Sequence, residues 1–211
     1  MRIERLVTLL LGIAISAMAT AQTVHTDPDR VTEELFWGEL YAEGGTTLYC
    51  QADFGPSAVL TTVSHIYELS WARDELRCPT ARTCLRENET YQRIASDLHN
   101  MFPVRSSFEM SRGGDRYGEV RRGYSEGECG ELTTYRDLEP PDHAKGAVAR
   151  AMIYMHTTYE LPLRSDMATL QAWHRNYPPS DDELRRNQLI QELQGNANPF
   201  ISEPSLVDEL I

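Results

Sequence analysis

The chain has 211 residues, of which 41% are hydrophobic and 25% are charged. This length and composition predict one well-formed hydrophobic core, and they exclude a disordered or low-complexity chain. The formal net charge is −12, which excludes a uniformly basic protein that meets polyanions over its whole surface.

The first 21 residues have the three parts of a secretory signal. Arg2 and Arg5 supply positive charge, residues 6–17 are apolar, and Ala-Thr-Ala at 19–21 matches a small-residue cleavage site. A membrane anchor is the alternative, but the apolar run is shorter than a membrane span. We therefore predict a signal peptide over 1–21, cleavage after Ala21, and export to the periplasm or the medium without further membrane association.

Residues 22–67 are predicted to hold one helix and two strands. Apolar side chains recur at helical spacing over 31–41, and a Gly-Gly pair at 44–45 ends that pattern. The runs at 46–54 and 58–67 are rich in residues typical of strands.

Four cysteines in an exported chain predict two disulfide bonds, with three possible connectivities. Cys78 and Cys84 flank a short loop, which favours that pair and leaves Cys50 with Cys129. A zinc site is the alternative. We consider it weaker because the chain has no C-x-x-C pair and no histidine at ligand spacing.

The middle of the chain combines short helices with a long irregular region. A helical turn is predicted over 69–77, and Asn88 is expected to cap a helix over 89–100, which Pro103 prevents from continuing. Residues 104–140 are rich in Gly, Arg and Glu and lack periodicity, which predicts a long functional or mobile loop.

The C-terminal part is predicted to be helical. Helices are expected over 142–159 and 164–176, and a third from the N-cap Ser180 to Gln194, where Gly195 stops it. The predicted fold class is therefore α+β. We expect one domain over 22–211, made of a β-containing half (22–140), a helical half (141–200) and a tail (201–211).

Two polar residues are candidates for chemistry. His65 lies in the apolar strand 58–67, and Asn100 lies at the end of the helix 89–100. An imidazole can deprotonate water and an amide oxygen can hold a hard divalent cation, which together suit metal-assisted phosphodiester hydrolysis. From spacing alone, a buried structural histidine and a helix-capping asparagine remain open alternatives.

A local basic segment interrupts the acidic chain. It contains five arginines and three acids: Arg105, Arg112, Arg116, Arg121 and Arg122, with Glu109, Asp115 and Glu119. Such a segment can contact a phosphate backbone, with an affinity that falls steeply with salt. A solvated loop of mixed charge fits the same pattern.

Nine short motifs occur in a fixed order between residues 48 and 201. They include SHIYELSW (64–71), DLHN (97–100), EPPDHAKGAVARAMIYM (139–155) and QGNANPF (194–200). In this order they resemble the endonuclease I family of bacterial periplasmic or secreted nucleases. The resemblance implies a ββα-metal (His-Me finger) core in the first half, which would be the catalytic half, and a metal-dependent, largely sequence-nonspecific endonuclease.

The resemblance also implies individual roles. His65 matches the family's general base, and Asn100 matches a metal ligand. Arg82 is the nearest match to an arginine that stabilises the phosphate, although it lies one residue closer to Cys84 than usual. Arg112 matches the arginine of an Asn-Gly-Asp-Arg stretch, which here is Glu-Met-Ser-Arg.

One position departs from the family pattern. The residue before the general base is usually a metal-binding glutamate, and here it is Ser64. A hydroxyl is a poorer, neutral ligand for Mg²⁺ than a carboxylate. Ser64 therefore binds metal directly or through water, or Glu68 compensates, or metal binding is weakened. The alternative function is a catalytically impaired relative that binds nucleic acid or a protein partner without cleavage.

The resemblance implies Mg²⁺, or another divalent cation such as Mn²⁺ or Ca²⁺, as cofactor. The implied substrates are DNA and, as a second class, RNA, cut to products with 5′-phosphates. Arg105, Arg112 and Arg116 are candidates for contacts to the phosphate backbone. We expect the protein to act as a monomer.

Overall fold

The computed structural model describes residues 22–210. The predicted signal peptide, residues 1–21, lies outside the described residues. Within the described part, no helix combines the length and the apolar character that crossing a bilayer requires.

The described chain begins with a helix and a small hairpin. Helix α1 (Pro28–Arg30) continues without a break as a π-helical stretch, Val31–Leu40. Strands β1 (Gly45–Thr46) and β2 (Asp53–Phe54) then pair antiparallel. The strand predicted over 46–54 is therefore two short strands, because the backbone reverses direction in the turn between them.

Strand β3 (Thr61–His65) is followed by three helices before its partner strand arrives. These are α2 (Leu69–Glu75), α3 (Ala81–Glu87) and α4 (Glu89–Ala95). The side chain of Asn88 accepts a hydrogen bond from the Tyr91 amide at 2.9 Å, which confirms the predicted cap of α4. The helix predicted over 89–100 nevertheless ends at Ala95.

An antiparallel strand pair and the helix after it form the centre of the first half. Strand β4 (Met101–Arg105) pairs with β3, so that His65 lies opposite Met101. Helix α5 (Ser106–Arg112) follows β4 directly and packs against both strands. The ββα unit is therefore β3–β4–α5. Its helix carries Glu109 and Arg112, whereas Asn100 precedes β4.

Residues 104–140 contain regular structure, so the prediction of a long loop was wrong. Beyond α5 they form a four-stranded sheet of order β5-β8-β7-β6, in which only β5 and β8 run parallel. Its strands are β5 (Arg116–Tyr117), β6 (Ser125–Glu126), β7 (Leu132–Thr133) and β8 (Asp137–Glu139). Strands of two or three residues are too short to display an alternating pattern.

The second half is helical, as predicted. It contains α6 (Asp142–Tyr159), α7 (Met167–Asn176), α8 (Asp181–Gln194), the short α9 (Pro199–Ser202) and a 3₁₀ turn, Pro204–Glu209. Ser180 accepts a hydrogen bond from the Glu183 amide at 3.2 Å, which confirms the predicted cap of α8. Helix α7 begins later than predicted because Asp166 caps it through the Thr169 amide.

One large cluster of buried side chains joins the two halves. It contains Tyr49 and Tyr67 from the first half together with Met152, Trp173 and Phe200 from the helices. The division near residue 140 therefore does not separate two hydrophobic cores in the described chain. That residues 22–211 form one domain stays a prediction.

Both predicted disulfide bonds are confirmed. Cys78–Cys84 closes the segment between α2 and α3, and Cys84 is itself a buried residue of α3. Cys50–Cys129 joins the turn of the β1–β2 hairpin to the turn between β6 and β7. The second bond spans 79 residues, so it ties the four-stranded sheet to the start of the domain.

A buried carboxylate, Asp97, holds the two halves together. One of its oxygens accepts hydrogen bonds from the His99 amide (3.0 Å) and the Gln194 side chain (2.9 Å). The other accepts from the hydroxyl groups of Tyr154 (2.9 Å) and Tyr159 (2.7 Å). Helix α4 ends before Asp97 because the segment 97–100 takes these bonds, in place of helical ones, with distant parts of the chain.

We predict that Asp97→Ala destabilises the protein by about 3–5 kcal/mol, because it removes the acceptor that four buried donors share. Asp97→Asn, which keeps one carbonyl oxygen, should cost less. The measurement is the denaturation midpoint with both disulfides intact. Asp208→Ala is the control, since it removes only the exposed pair with Arg175 and should cost at most about 1 kcal/mol. A midpoint for Asp97→Ala equal to that of the control would show that Asp97 does not hold the two halves together.

Candidate active site

His65 ends strand β3 with its ring held in one tautomer. Its Nε2 lies 3.1 Å from the carbonyl oxygen of Ala95. A carbonyl only accepts, so Nε2 carries the proton and Nδ1 has a free lone pair. Within residues 22–210, no hydrogen bond occupies Nδ1.

The surroundings of His65 keep its imidazole neutral. Burial lowers its pKa to about 4, the Ala95 carbonyl opposes this shift, and the positive charge of Arg112 reinforces it. At neutral pH the ring is therefore a proton acceptor. This is the state that a general base needs before the reaction begins.

Arg112 lies at the centre of the site with its side chain fully buried. One terminal nitrogen donates to the hydroxyl of Tyr117 at 2.8 Å. The other lies 3.2 Å from both the Ser64 hydroxyl and the His65 carbonyl oxygen. Helix α5 is thereby fastened to the end of β3 that carries His65, and also to strand β5.

Two carboxylates flank this guanidinium. Glu68 is bonded to Arg112 through its carboxylate, and a Glu109 oxygen lies 3.5 Å from the Arg112 Nε. Burial raises the pKa of Glu109, and a hydrogen bond with Ser64 opposes the shift. Two carboxylates and one guanidinium give the cluster a net negative charge when both acids are ionised.

The Glu109 oxygen that faces the Arg112 Nε, Oε2, is buried and has no hydrogen-bond partner among the described residues. A buried carboxylate oxygen without a donor is costly unless something else binds it. Together with the adjacent Ser64 hydroxyl, this atom is a hard oxygen donor of the kind that Mg²⁺ and Ca²⁺ prefer.

The structure gives Asn100 a different role from the predicted metal ligand. The residue is completely buried, and its side-chain oxygen accepts from the Tyr67 amide at 2.7 Å. Its side-chain nitrogen donates to the Tyr67 carbonyl at 3.0 Å, and its own carbonyl accepts from the Ile66 amide at 2.9 Å. Asn100 therefore fixes the turn after His65, and no accessible oxygen remains for a metal.

His99 has a structural role. It is buried, and its Nε2 lies 3.0 Å from the Asn196 carbonyl oxygen. Burial lowers the pKa of His99 to about 4. Its ring packs edge-on against Tyr154, so it belongs to the same interior network as Asp97.

Of the arginines predicted to contact phosphates, Arg112 has a fully buried side chain that solvent does not reach. Its position on a buried helix face contradicts the expectation of a loop residue in contact with solvent. Arg82 is exposed on α3 and forms no ion pair within the described chain. Arg105 lies 3.9 Å from Glu128, and Arg116 lies 2.9 Å from Asp137 with half of its side chain exposed.

Sequence reasoning missed the part that Glu109 plays. The available signal was its position in the Glu-Met-Ser-Arg stretch, three residues before Arg112. Residues three apart share one face of a helix. That relationship went unused because the region was predicted to be a loop.

Residues 39–205 match the family model described as Endonuclease I. The chain belongs to the endonuclease I family. An extracellular deoxyribonuclease of Aeromonas hydrophila is 34% identical over 127 residues, which are 58% of this chain and 55% of that protein. Endonuclease-1 of Buchnera aphidicola subsp. Baizongia pistaciae is 31% identical over 126 residues, covering 57% of this chain and 51% of that protein.

An extracellular ribonuclease of Bacillus subtilis is 28% identical over 141 residues, covering 54% of this chain and 46% of that protein. The chain spans about half the length of the curated relatives it matches. Membership of the endonuclease I family and the β3–β4–α5 unit together confirm the α+β fold with a ββα core that the motifs predicted.

We predict that Arg112→Leu destabilises this endonuclease I member by about 3–5 kcal/mol at neutral pH, because two carboxylates lose their buried partner. The loss should be smaller at pH 4.5 than at pH 7.5. An acid whose pKa is raised in the folded state, as that of Glu109 is, costs stability only once the pH exceeds its unfolded value.

The measurement is the urea midpoint of wild type and variant at both pH values. Arg112→Lys is the matched control, since it keeps the charge but loses the planar fork, and its loss should depend less on pH. An equal loss for Arg112→Leu at both pH values would show that the guanidinium does not balance these carboxylates.

Proposed function

We propose that this chain is an exported, metal-dependent endonuclease that cuts DNA, with RNA as a second substrate class. The observation that carries the proposal is the neutral His65, with a free Nδ1, beside the oxygen cluster of Ser64, Glu68 and Glu109. Relatives named extracellular or periplasmic deoxyribonucleases and extracellular ribonucleases support both substrates and a periplasmic or secreted location. We propose that it acts as a monomer.

His65 is the general base in this proposal. Its Nδ1 takes a proton from a water molecule, whose oxygen forms a new bond to phosphorus while the bond to the 3′-oxygen breaks. The leaving 3′-oxygen takes up a proton from solvent, and the products carry a 5′-phosphate and a 3′-hydroxyl. The Ala95 carbonyl, 3.1 Å from Nε2, stabilises the imidazolium that forms.

Glu109 and Ser64 are the residues we propose to hold the divalent cation, in place of Asn100. They fit the group because Glu109 has a buried oxygen without a hydrogen bond and because the cluster is negative when its acids are ionised. Mg²⁺ accepts such oxygen ligands and commonly keeps several waters, so few protein ligands suffice; Mn²⁺ and Ca²⁺ are the alternatives. When bound, the cation neutralises charge that develops on the phosphate and on the leaving oxygen.

The remaining residues position the substrate. Arg82, Arg105 and Arg116 are exposed or half-exposed cations that we propose to contact phosphates. Contacts to the backbone carry no direct sequence information, which accounts for low sequence specificity. On a chain of net charge −12, such contacts should weaken steeply with salt.

The first test is plasmid cleavage by the disulfide-intact protein with Mg²⁺ or with EDTA, beside His65→Ala. We expect metal-dependent cleavage that falls by at least about 100-fold in the variant, the range typical for loss of a general base. A folded wild type that cuts nothing with Mg²⁺, Mn²⁺ or Ca²⁺ at low salt would contradict the proposal. Binding without cleavage would then be the better account, and Ser64→Glu the variant to examine.

The pH dependence of cleavage gives an independent prediction. Since protonated His65 cannot accept a proton, kcat/KM should fall as the pH drops through about 4. Between pH 6 and pH 8 the imidazole should contribute no further titration. A loss of activity centred near the ordinary histidine pKa of about 6.5 would show that the base of the free enzyme does not have the lowered pKa of the buried His65.

The metal site can be tested without catalysis. Addition of Mn²⁺ should raise the melting temperature of the wild type by binding the folded state, and Glu109→Gln should abolish most of that rise. Glu87→Gln is the control, since Glu87 is an exposed carboxylate on α3 paired with Arg86. If Mn²⁺ raises the melting temperature of Glu109→Gln as much as that of the wild type, Glu109 does not bind the metal.

A further inference from the structure

Two tyrosines and two arginines lie together at one end of the four-stranded sheet. Tyr135 and Arg136 occupy the turn between β7 and β8, and Tyr124 immediately precedes β6. Ser125 of β6 pairs with Thr133 of β7, so Tyr124 lies at the same end as that turn. The Arg116 amide donates to the Arg136 carbonyl at 2.9 Å. Arg116, the first residue of β5, therefore lies at this end of the sheet as well. We refer to Arg116, Tyr124, Tyr135 and Arg136 as the Tyr–Arg end.

The aromatic rings of the Tyr–Arg end are exposed without a structural role. Tyr135 is 90% exposed and Tyr124 is 51% exposed. The Arg136 guanidinium lies over the Tyr135 ring at 5.7 Å, and no hydrogen bond holds the Tyr135 hydroxyl within residues 22–210. Such a ring adds little to the fold and is free to stack on another flat group.

Two arginines close to these tyrosines in the chain have no carboxylate partner in the described structure. Neither Arg136 nor the neighbouring Arg122 forms an ion pair with any residue that the structure describes. Arg116 is bonded to Asp137, yet half of its side chain remains exposed. On an otherwise acidic chain, this combination of exposed rings and free guanidinium groups is complementary to a nucleic-acid strand.

The Tyr–Arg end is also connected to the active site. Tyr117 follows Arg116 in β5, and its hydroxyl accepts a hydrogen bond from Arg112 at 2.8 Å. Neighbouring strands lie about 4.8 Å apart, so the β7–β8 turn is within roughly 10 Å of β5. A strand of a few nucleotides can therefore reach from this surface toward His65.

We infer that the Tyr–Arg end binds unpaired bases of single-stranded nucleic acid, with Tyr135 stacked on a base and Arg136 and Arg122 against phosphates. The inference rests on the proposed nuclease function and specifies the form of its substrate. Every base has a flat face, so stacking tolerates any sequence. In a duplex the bases are already stacked on one another, so Tyr135 should favour single strands and unpaired segments.

The test is equilibrium binding of a fluorescent 12-nucleotide single-stranded DNA at low salt in EDTA, in the His65→Ala background so that no cleavage occurs. Adding Tyr135→Ala should weaken binding by on the order of tenfold, the loss expected for one stacked base. Tyr135→Phe keeps the flat ring and should bind as tightly as the parent.

Two controls isolate stacking from charge and from general surface effects. An oligonucleotide of equal length without bases keeps the phosphates, so Tyr135→Ala should bind it as the parent does. Leu184→Ala truncates an exposed apolar side chain on α8. It should change neither the affinity for single-stranded DNA nor that for the base-free oligonucleotide. Affinity for a 12-base-pair duplex should change by less than about twofold on Tyr135→Ala.

The outcomes separate this inference from the nuclease proposal. Unchanged single-strand affinity in Tyr135→Ala, or an equal loss on the base-free oligonucleotide, overturns stacking at the Tyr–Arg end. Failure of the parent to bind single-stranded DNA also overturns it. If wild-type protein still cuts plasmid in a parallel assay, the nuclease function survives either result.

Discussion

The buried guanidinium of Arg112 is the constraint on which the site depends. It joins Ser64 and the His65 carbonyl of β3 to Tyr117 of β5, and it lies between the carboxylates of Glu68 and Glu109. Burying a guanidinium is costly unless its donors are satisfied, and four of these partners lie outside its own helix. The cost is offset only when strand β3, helix α5 and the four-stranded sheet are all assembled. Arg112 therefore couples the position of His65 to the rest of the fold.

The DLHN motif forms part of the framework around the candidate site. Asp97 gathers donors from α6 and from the end of α8, while Asn100 clamps the backbone of Tyr67. Through these bonds the turn after β3 is fixed, and with it the position of His65. The QGN segment completes the same network through Gln194. A motif that identifies a family can thus mark the framework that positions a candidate site residue.

The reliability of the sequence predictions followed the length and locality of each element. Helices α6 and α8 were predicted closely because their apolar spacing and the Ser180 cap are local signals. The four-stranded sheet was missed because its strands have two or three residues each, and pairing partners supply their stability. Helix α4 was predicted too long because the bonds that divert residues 97–100 come from tyrosines and a glutamine about 57–97 residues away.

The amino-acid sequence alone predicted the fold class and the family, favoured the two disulfide pairs and made His65 the candidate base, since each depends on composition, local spacing or an ordered series of motifs. Only the tertiary structure decided which oxygen atoms gather around the Arg112 guanidinium at the end of the strand that carries His65. Glu109 and Arg112 meet Ser64 across more than forty residues, and Asn100 turns its amide to Tyr67 instead. Hydrogen bonds and ion pairs act over a few ångströms in space, and distance along the chain does not reveal which groups folding will bring within that reach.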